Sequence, residues 1–123
     1  MKVRRGDVVL LDYPFSTGVG SKVRPALVVQ GDRDNARLSN TIVALITRTI
    51  HRAGDVETQL LVDITTPDGM ATGLRATSAV NCSNLFTVNE VLIHKKIGML
   101  PAGAMTQVNE CLRKALGIGE GVI

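Results

Sequence analysis

The chain has 123 residues, about one domain's worth, of which 45% are apolar and 20% charged. That balance excludes disorder of the low-hydrophobicity, high-charge kind, and no apolar run nears the roughly 18 residues a membrane-spanning helix needs. The 14 Lys plus Arg against 11 Asp plus Glu leave a charge of +3, which permits a nucleic-acid partner without demanding one.

The opening Met1-Lys2-Val3-Arg4-Arg5-Gly6-Asp7 passes from basic to acidic with no apolar core. No export signal or membrane association is expected, and the protein is expected in the cytoplasm. Cys82 and Cys111 lack metal-type spacing and read as reduced thiols. Val8 to Leu11 predicts a first strand, closed near Pro14. Ser16 to Lys22 has loop composition, and Pro25-Ala26-Leu27-Val28-Val29 predicts a second strand, buried on both faces for part of its length. Gly31 to Asn35 reads as a polar turn, and Thr41 to Ile46 as a third strand. A polar loop from Thr49 to Glu57 leads to a fourth strand, Gln59 to Val62, and Thr66-Pro67-Asp68-Gly69 reads as a turn. Thr77 to Val80 and Leu85 to Val88 predict two more strands, with Asn81 to Asn84 between them. Val91-Leu92-Ile93 fits either a strand or one helical turn capped by Asn89-Glu90.

The last element predicts a helix with Pro101 in its first turn. Met105, Val108, Leu112, Ala115 and Leu116 share one face at helical spacing, and Gly117 supplies the stop. Short strands followed by one amphipathic helix indicate a small curled sheet or barrel with the helix packed on it. No repeat, linker or composition break divides residues 1–123, so one domain is expected.

Most catalytic chemistries find no residues here. His51 and His94 lie far apart, and neither a Cys-x-x-Cys nor a His-x-x-x-His occurs, so no metal or other cofactor is expected. Gly18-Val19-Gly20-Ser21-Lys22 resembles part of a phosphate loop but leads into a strand, not the helix such a loop requires. Tyr13, Phe15 and Phe86 are the only aromatics, too few for an array stacking successive bases. What remains is Arg24-Pro25 at the entry of the second strand and Thr47-Arg48 at the exit of the third. A guanidinium fork suits a phosphate, and a threonine hydroxyl can donate to the same oxygens. The competing reading is a surface ion pair for Arg24 and a plain strand end for Thr47.

Arg5 to Leu10, Gly20 to Val29 and Asn40 to Thr47 resemble the MazF/PemK family of toxin endoribonucleases. Gly73-Leu74, Ser78 to Val80, Leu85 to Val88 and Ile97 to Leu100 continue the likeness in order along nearly the whole chain. The resemblance implies a mainly β fold with α, a small SH3-like barrel with a C-terminal helix packed on the sheet. It also implies a homodimer that cuts single-stranded RNA at short motifs without a metal and is neutralised by a cognate antitoxin. The family's arginine before proline falls on Arg24 and its strand-end threonine on Thr47, both carried over as catalytic. Ser21, Lys22, Arg48, His51 and Asn84 are expected to bind substrate. His51 could serve as a proton carrier, since histidine titrates near neutrality, or be a solvated loop residue.

The sequence departs from the pattern in two places. Ser21-Lys22-Val23 stands where many members carry Glu-Gln, and Ser83-Asn84 where many carry an acidic residue and Gln. Asn84 can still hydrogen-bond a base edge, but Ser83 cannot replace an ionised acid. Two non-nuclease alternatives therefore stay open: a CcdB-like gyrase poison and an RNA-binding module of the same fold.

Overall fold

The computed structural model describes residues 1–13, 22–51 and 53–119. The elements are β1 (Asp7–Tyr13), β2 (Lys22–Val28), α1 (Asp32–Arg37), β3 (Asn40–Thr47), β4 (Gln59–Val62), α2 (Pro67–Ala71), β5 (Ser78–Asn89), β6 (Ile93–Met99) and α3 (Ala102–Leu116). The strands form one antiparallel sheet in the order β4-β5-β3-β2-β1-β6. The mainly β architecture with a C-terminal helix on the sheet agrees with the sequence reading.

Strand alternation divides the core in two. Val8, Leu27, Ala44, Ile46 and Val80 belong to the cluster under α3, while Val9, Leu11, Ala26, Val28 and Val43 join Val3, Val88 and Ile93 on the opposite face. Ala26, Leu27 and Val28 are thus buried whichever way they point, which is why β2 reads as a continuous apolar run. The α3 helix buries Ala104, Met105, Val108 and Cys111, with Leu112 and Ala115 packed alongside. Two details of the predicted helix change. Pro101 occupies the N-cap, one residue before the first turn, and Leu116, the last residue of the helix, is 58% exposed.

Several segments differ from their sequence expectation. The "turn" from Gly31 to Asn35 opens α1, whose Asn35 is buried. Asn35 Nδ2 donates to the Gln30 carbonyl at 2.9 Å, and its Oδ1 accepts from Gln30 Nε2 at 2.9 Å and from the Thr41 hydroxyl at 2.7 Å. This polar network replaces the apolar face a helix usually shows, so hydrophobic periodicity could not reveal it. Asp32 accepts the Arg5 backbone N–H at 2.7 Å, and that bond, with one from Asn35, holds its carboxyl below the ordinary value. The Thr66-Gly69 "turn" likewise starts a helix, α2, with Thr66 Oγ1 accepting the Gly69 N–H.

The two late strands are one. β5 runs unbroken, but pairing jumps from Leu45–Asn81 to Ala44–Leu85, so residues 82–84 bulge from the β3 ladder. Beyond it, Glu90–Leu92 form a short 3-10 turn, settling the ambiguity there as a turn followed by strand. β6 itself escapes the sequence reading because His94, Lys95 and Lys96 are exposed on an edge strand, where charge discourages pairing with other chains. It is held to the start of β1 by Lys96, 3.0 Å from the buried Asp7 carboxylate. Gly73, at φ +73°, and Gly98 have no room for a Cβ, which would strike the Ile97 carbonyl and the backbone of Ala71 and Thr72. Backbone contact there fixes the segment after α2 against β6.

Cys82 and Cys111 are free thiols, buried in the α3-side core and within reach of one another. Burial, then the neighbouring Cys111, pushes the Cys82 thiol up to about 12, and burial also raises Cys111. Neither should be alkylated by iodoacetamide at neutral pH until the chain unfolds; labelling of native protein would contradict this placement. Because unfolded thiols ionise near pH 8.5 and the buried ones do not, stability is intact below that range and should fall as pH rises above it. Replacing Asn35 by Ala removes the partner of the Gln30 carbonyl, one of the two partners of the Gln30 amide and the acceptor of the Thr41 hydroxyl, and should cost about 2–3 kcal/mol in urea unfolding. A loss below about 0.5 kcal/mol would show the network to be dispensable.

Candidate functional site

The pairing of β2 with β3 sets Ala26 opposite Leu45, Leu27 opposite Ala44 and Val28 opposite Val43. The recorded ladder ends next to Pro25, which has no N–H to contribute. Continued in the same register, the strands bring Pro25 opposite Ile46 and Arg24 opposite Thr47. Alternation then assigns faces. Arg24 shares the side of Ala26 and Val28, and Thr47 the side of Val43, which is the face away from α3. Pro25 and Arg48 belong to the helix-bearing face. That continuation would set Arg24 beside Thr47, and Arg24 and Pro25 line an apolar cleft with Leu11, Ala26, Val43, Leu45, Phe86 and Val88.

The chemistry of the pair is simple. Arg24 is exposed, and among the described residues its guanidinium meets no carboxylate. A fixed positive charge at the rim of an apolar cleft attracts an anion more strongly than one in open water, because the cleft lowers the local dielectric. Thr47 is half-buried, and its Oγ1 accepts the Thr49 N–H at 3.1 Å. That bond orients the side chain and leaves the hydroxyl hydrogen to donate.

Asn84 is half-buried in the bulged part of β5, where alternation breaks: Val80 and Cys82 lie in the cluster under α3, whereas Phe86 and Val88 pack on the opposite face. Lys22 opens β2 opposite Tyr13, so it is a strand residue and not the end of the loop; it is exposed and alternates onto Arg24's side. Ser21 lies outside the described residues, as does all of the glycine-rich loop before it. His51 is exposed in the turn after β3, and no contact among the described residues ties it to Arg24 or Thr47. Arg48 is exposed and borders a groove on the opposite face. So Arg24, Thr47 and Lys22 share one face by alternation, Asn84 lies at the bulge between the two faces, and Arg48 and His51 fall outside that group.

One pairing eluded the sequence reading. His94 is about half exposed, with Nε2 2.9 Å from Asp12 Oδ1. It joins β6 to β1, and only knowledge of β6 would have brought the two together. Among the described residues no three His, Cys, Asp or Glu side chains gather as a metal ion would require.

Comparison with known proteins gives one consistent result. A family model described as PemK-like, MazF-like toxin of type II toxin–antitoxin system matches residues 4–116. Endoribonuclease MazF2 of Mycobacterium bovis is 32% identical over 120 residues, covering 96% of this chain and 100% of the relative. Endoribonuclease EndoA of Bacillus subtilis is 32% identical over 121 residues, covering 96% and 97%. Among solved structures, an endoribonuclease in complex with its cognate antitoxin from a mycobacterial species superposes with a TM-score of 0.77 over 97% of this chain and 99% of its own, at 21% identity. That last likeness establishes the fold.

Proposed function

The chain belongs to the PemK-like, MazF-like toxin family of type II toxin–antitoxin systems, and from that membership we propose that it is a metal-independent endoribonuclease cutting single-stranded RNA at short sequence motifs. What supports this reading is the β2–β3 register, which when continued past Ala26–Leu45 puts Arg24 opposite Thr47, together with the apolar cleft that Arg24 lines. In the proposed reaction the RNA's own 2′-oxygen attacks the adjacent phosphorus. A P–O2′ bond forms and the P–O5′ bond breaks. The 2′-hydroxyl loses its proton and the departing 5′-oxygen gains one, leaving a 2′,3′-cyclic phosphate and a 5′-hydroxyl.

Negative charge builds on the non-bridging oxygens as phosphorus becomes five-coordinate. Arg24 supplies a preorganised cation there, an effect worth about 3–4 kcal/mol for one well-placed donor. A guanidinium offers N–H donors and no acceptor, so Arg24 acts as a donor and not as the base. Thr47 donates its free hydroxyl hydrogen to the same oxygens. Asn84 offers a carboxamide to a base edge, and Lys22 adds charge toward neighbouring phosphates. Ser21, Arg48 and His51 are proposed as further contacts along the strand.

The family also supports control by partners. We propose that residues 1–123 act as one toxin unit in the cytoplasm, as a homodimer bound by a cognate antitoxin with an acidic C-terminal segment. The relative solved with its antitoxin supports that arrangement. Light scattering of the purified protein should give twice the chain mass at micromolar concentration; a monomer would contradict the dimer.

Cleavage of a long single-stranded RNA should proceed in excess EDTA and yield cyclic-phosphate ends. A magnesium requirement, or 5′-phosphate products, would overturn internal attack. Arg24→Ala should lower the rate at least about 100-fold while leaving the unfolding midpoint in place, since an exposed charge contributes little to stability. Thr47→Val, nearly isosteric, should slow cleavage about 10- to 100-fold by removing a hydrogen bond to a charged group. Normal rates from either folded variant would move the site elsewhere.

A further inference from the structure

The helix-bearing face carries a second positively charged concavity. A groove of about 410 Å³ opens between β1, β2, β6 and the segment following Gly73. Arg48, Arg75 and Lys95 line it, and no Asp or Glu does. All three cations are exposed, and among the described residues none holds a carboxylate, whereas Lys2, Arg37, Lys96 and Arg113 each do. They arrive from three separate places: the end of β3, the segment after α2, and β6. Their convergence is therefore built by the fold and is not a local run of charge. Three unpaired cations around one hollow repel each other, and an anion in the hollow would relieve that cost.

The groove adjoins the cleft at Pro25, which lines both, while Arg24 lines the cleft and Arg48 lines the groove. Thr47 and Arg48 are one residue step apart, about 3.3 Å along the strand. We infer that the groove binds the sugar–phosphate backbone of RNA flanking the cut, the strand passing from the cleft around the sheet end to Arg48, Arg75 and Lys95. This inference rests on reading Arg24 and Thr47 as the groups that hold the scissile phosphate. The lining suits phosphates better than bases, since it has cationic donors but no aromatic ring to stack on. Leu10, Leu74 and Ile97 give the walls apolar surface for ribose rings. The flank would be held without regard to sequence, adding affinity and register but no base discrimination.

The test measures anisotropy of a labelled single-stranded RNA of about three times the minimal cleavable length, from about 50 to 200 mM salt. Arg24→Ala protein is used so that the strand survives, with and without Arg75→Ala plus Lys95→Ala. The pair Arg75→Gln plus Lys95→Gln is run in parallel, and unfolding midpoints are checked for both. Loss of two phosphate contacts should reduce the slope of log K against log salt by about 1.4, at about 0.7 per contact on single strands. Binding of an RNA trimmed to the minimal length should not change. An unchanged slope on the long RNA, or an equal loss on the trimmed one, overturns the inference. So does a result in which only an acidic peptide, and not RNA, binds less tightly. Cleavage by wild-type protein is scored separately: no cleavage with a reduced slope would remove the Arg24–Thr47 reading and retain the groove as an RNA site.

Discussion

The register between β2 and β3 is the constraint on which the site depends, because it decides both which residues are neighbours and which face they occupy. A slip of β2 by one residue would carry Ala26 and Val28 out of the core away from α3 and turn Arg24 to the other side of the sheet. Fully burying each such side chain contributes roughly 1.5–3 kcal/mol, so the apolar residues hold the register far more firmly than Arg24 or Thr47 could. The site is thus placed by residues that take no part in its chemistry. Pro25 ends the hydrogen-bonded ladder next to Arg24, leaving the strand ends open to a ligand.

The other end of the same strand pair is closed. Gln30, just past β2, donates to Asn35 in α1 and to the Asn40 carbonyl at the start of β3, each at 2.9 Å. Arg5 adds a bond from Nε to the Val29 carbonyl at 2.8 Å and another from its guanidinium to Asn109 of α3 at 2.7 Å. Buried polar groups joined in this way specify one arrangement, since any shift leaves donors and acceptors unpaired. One end of the β2–β3 pair is therefore pinned by a satisfied network, while the other presents cations that hold no carboxylate among the described residues. That asymmetry fits a site in which rigid strands carry reactive groups on their ends.

How much of this was legible in the sequence depends on what each segment buries. β1, β3, β4 and α3 bury apolar side chains at regular spacing, so their patterns announced them. α1 buries an asparagine network, and β6 exposes His94, Lys95 and Lys96, so hydrophobic periodicity was silent for both. The bulge at residues 82–84 looked like a loop because its residues leave the β3 ladder, although the strand continues through it. Arg24 and Thr47 stood out by position at strand ends and by family resemblance. That Arg48 belongs to the opposite face required the register. Arg75 and Lys95 could not be joined to it without β6, which places Lys95, and the left-handed Gly73, which begins the segment carrying Arg75.

The two faces divide the proposed labour: one neutralises the phosphate being cut, and the other holds the backbone beside it. At the cleft the account stands on Arg24 and Thr47 acting together on a single phosphate, and a double-mutant cycle on cleavage of single-stranded RNA in EDTA tests that most directly. If both groups serve the same oxygens, Thr47→Val should cost far less in an Arg24→Ala background than in the wild type. Fully multiplicative losses would mean the two residues act independently, and would contradict a shared site.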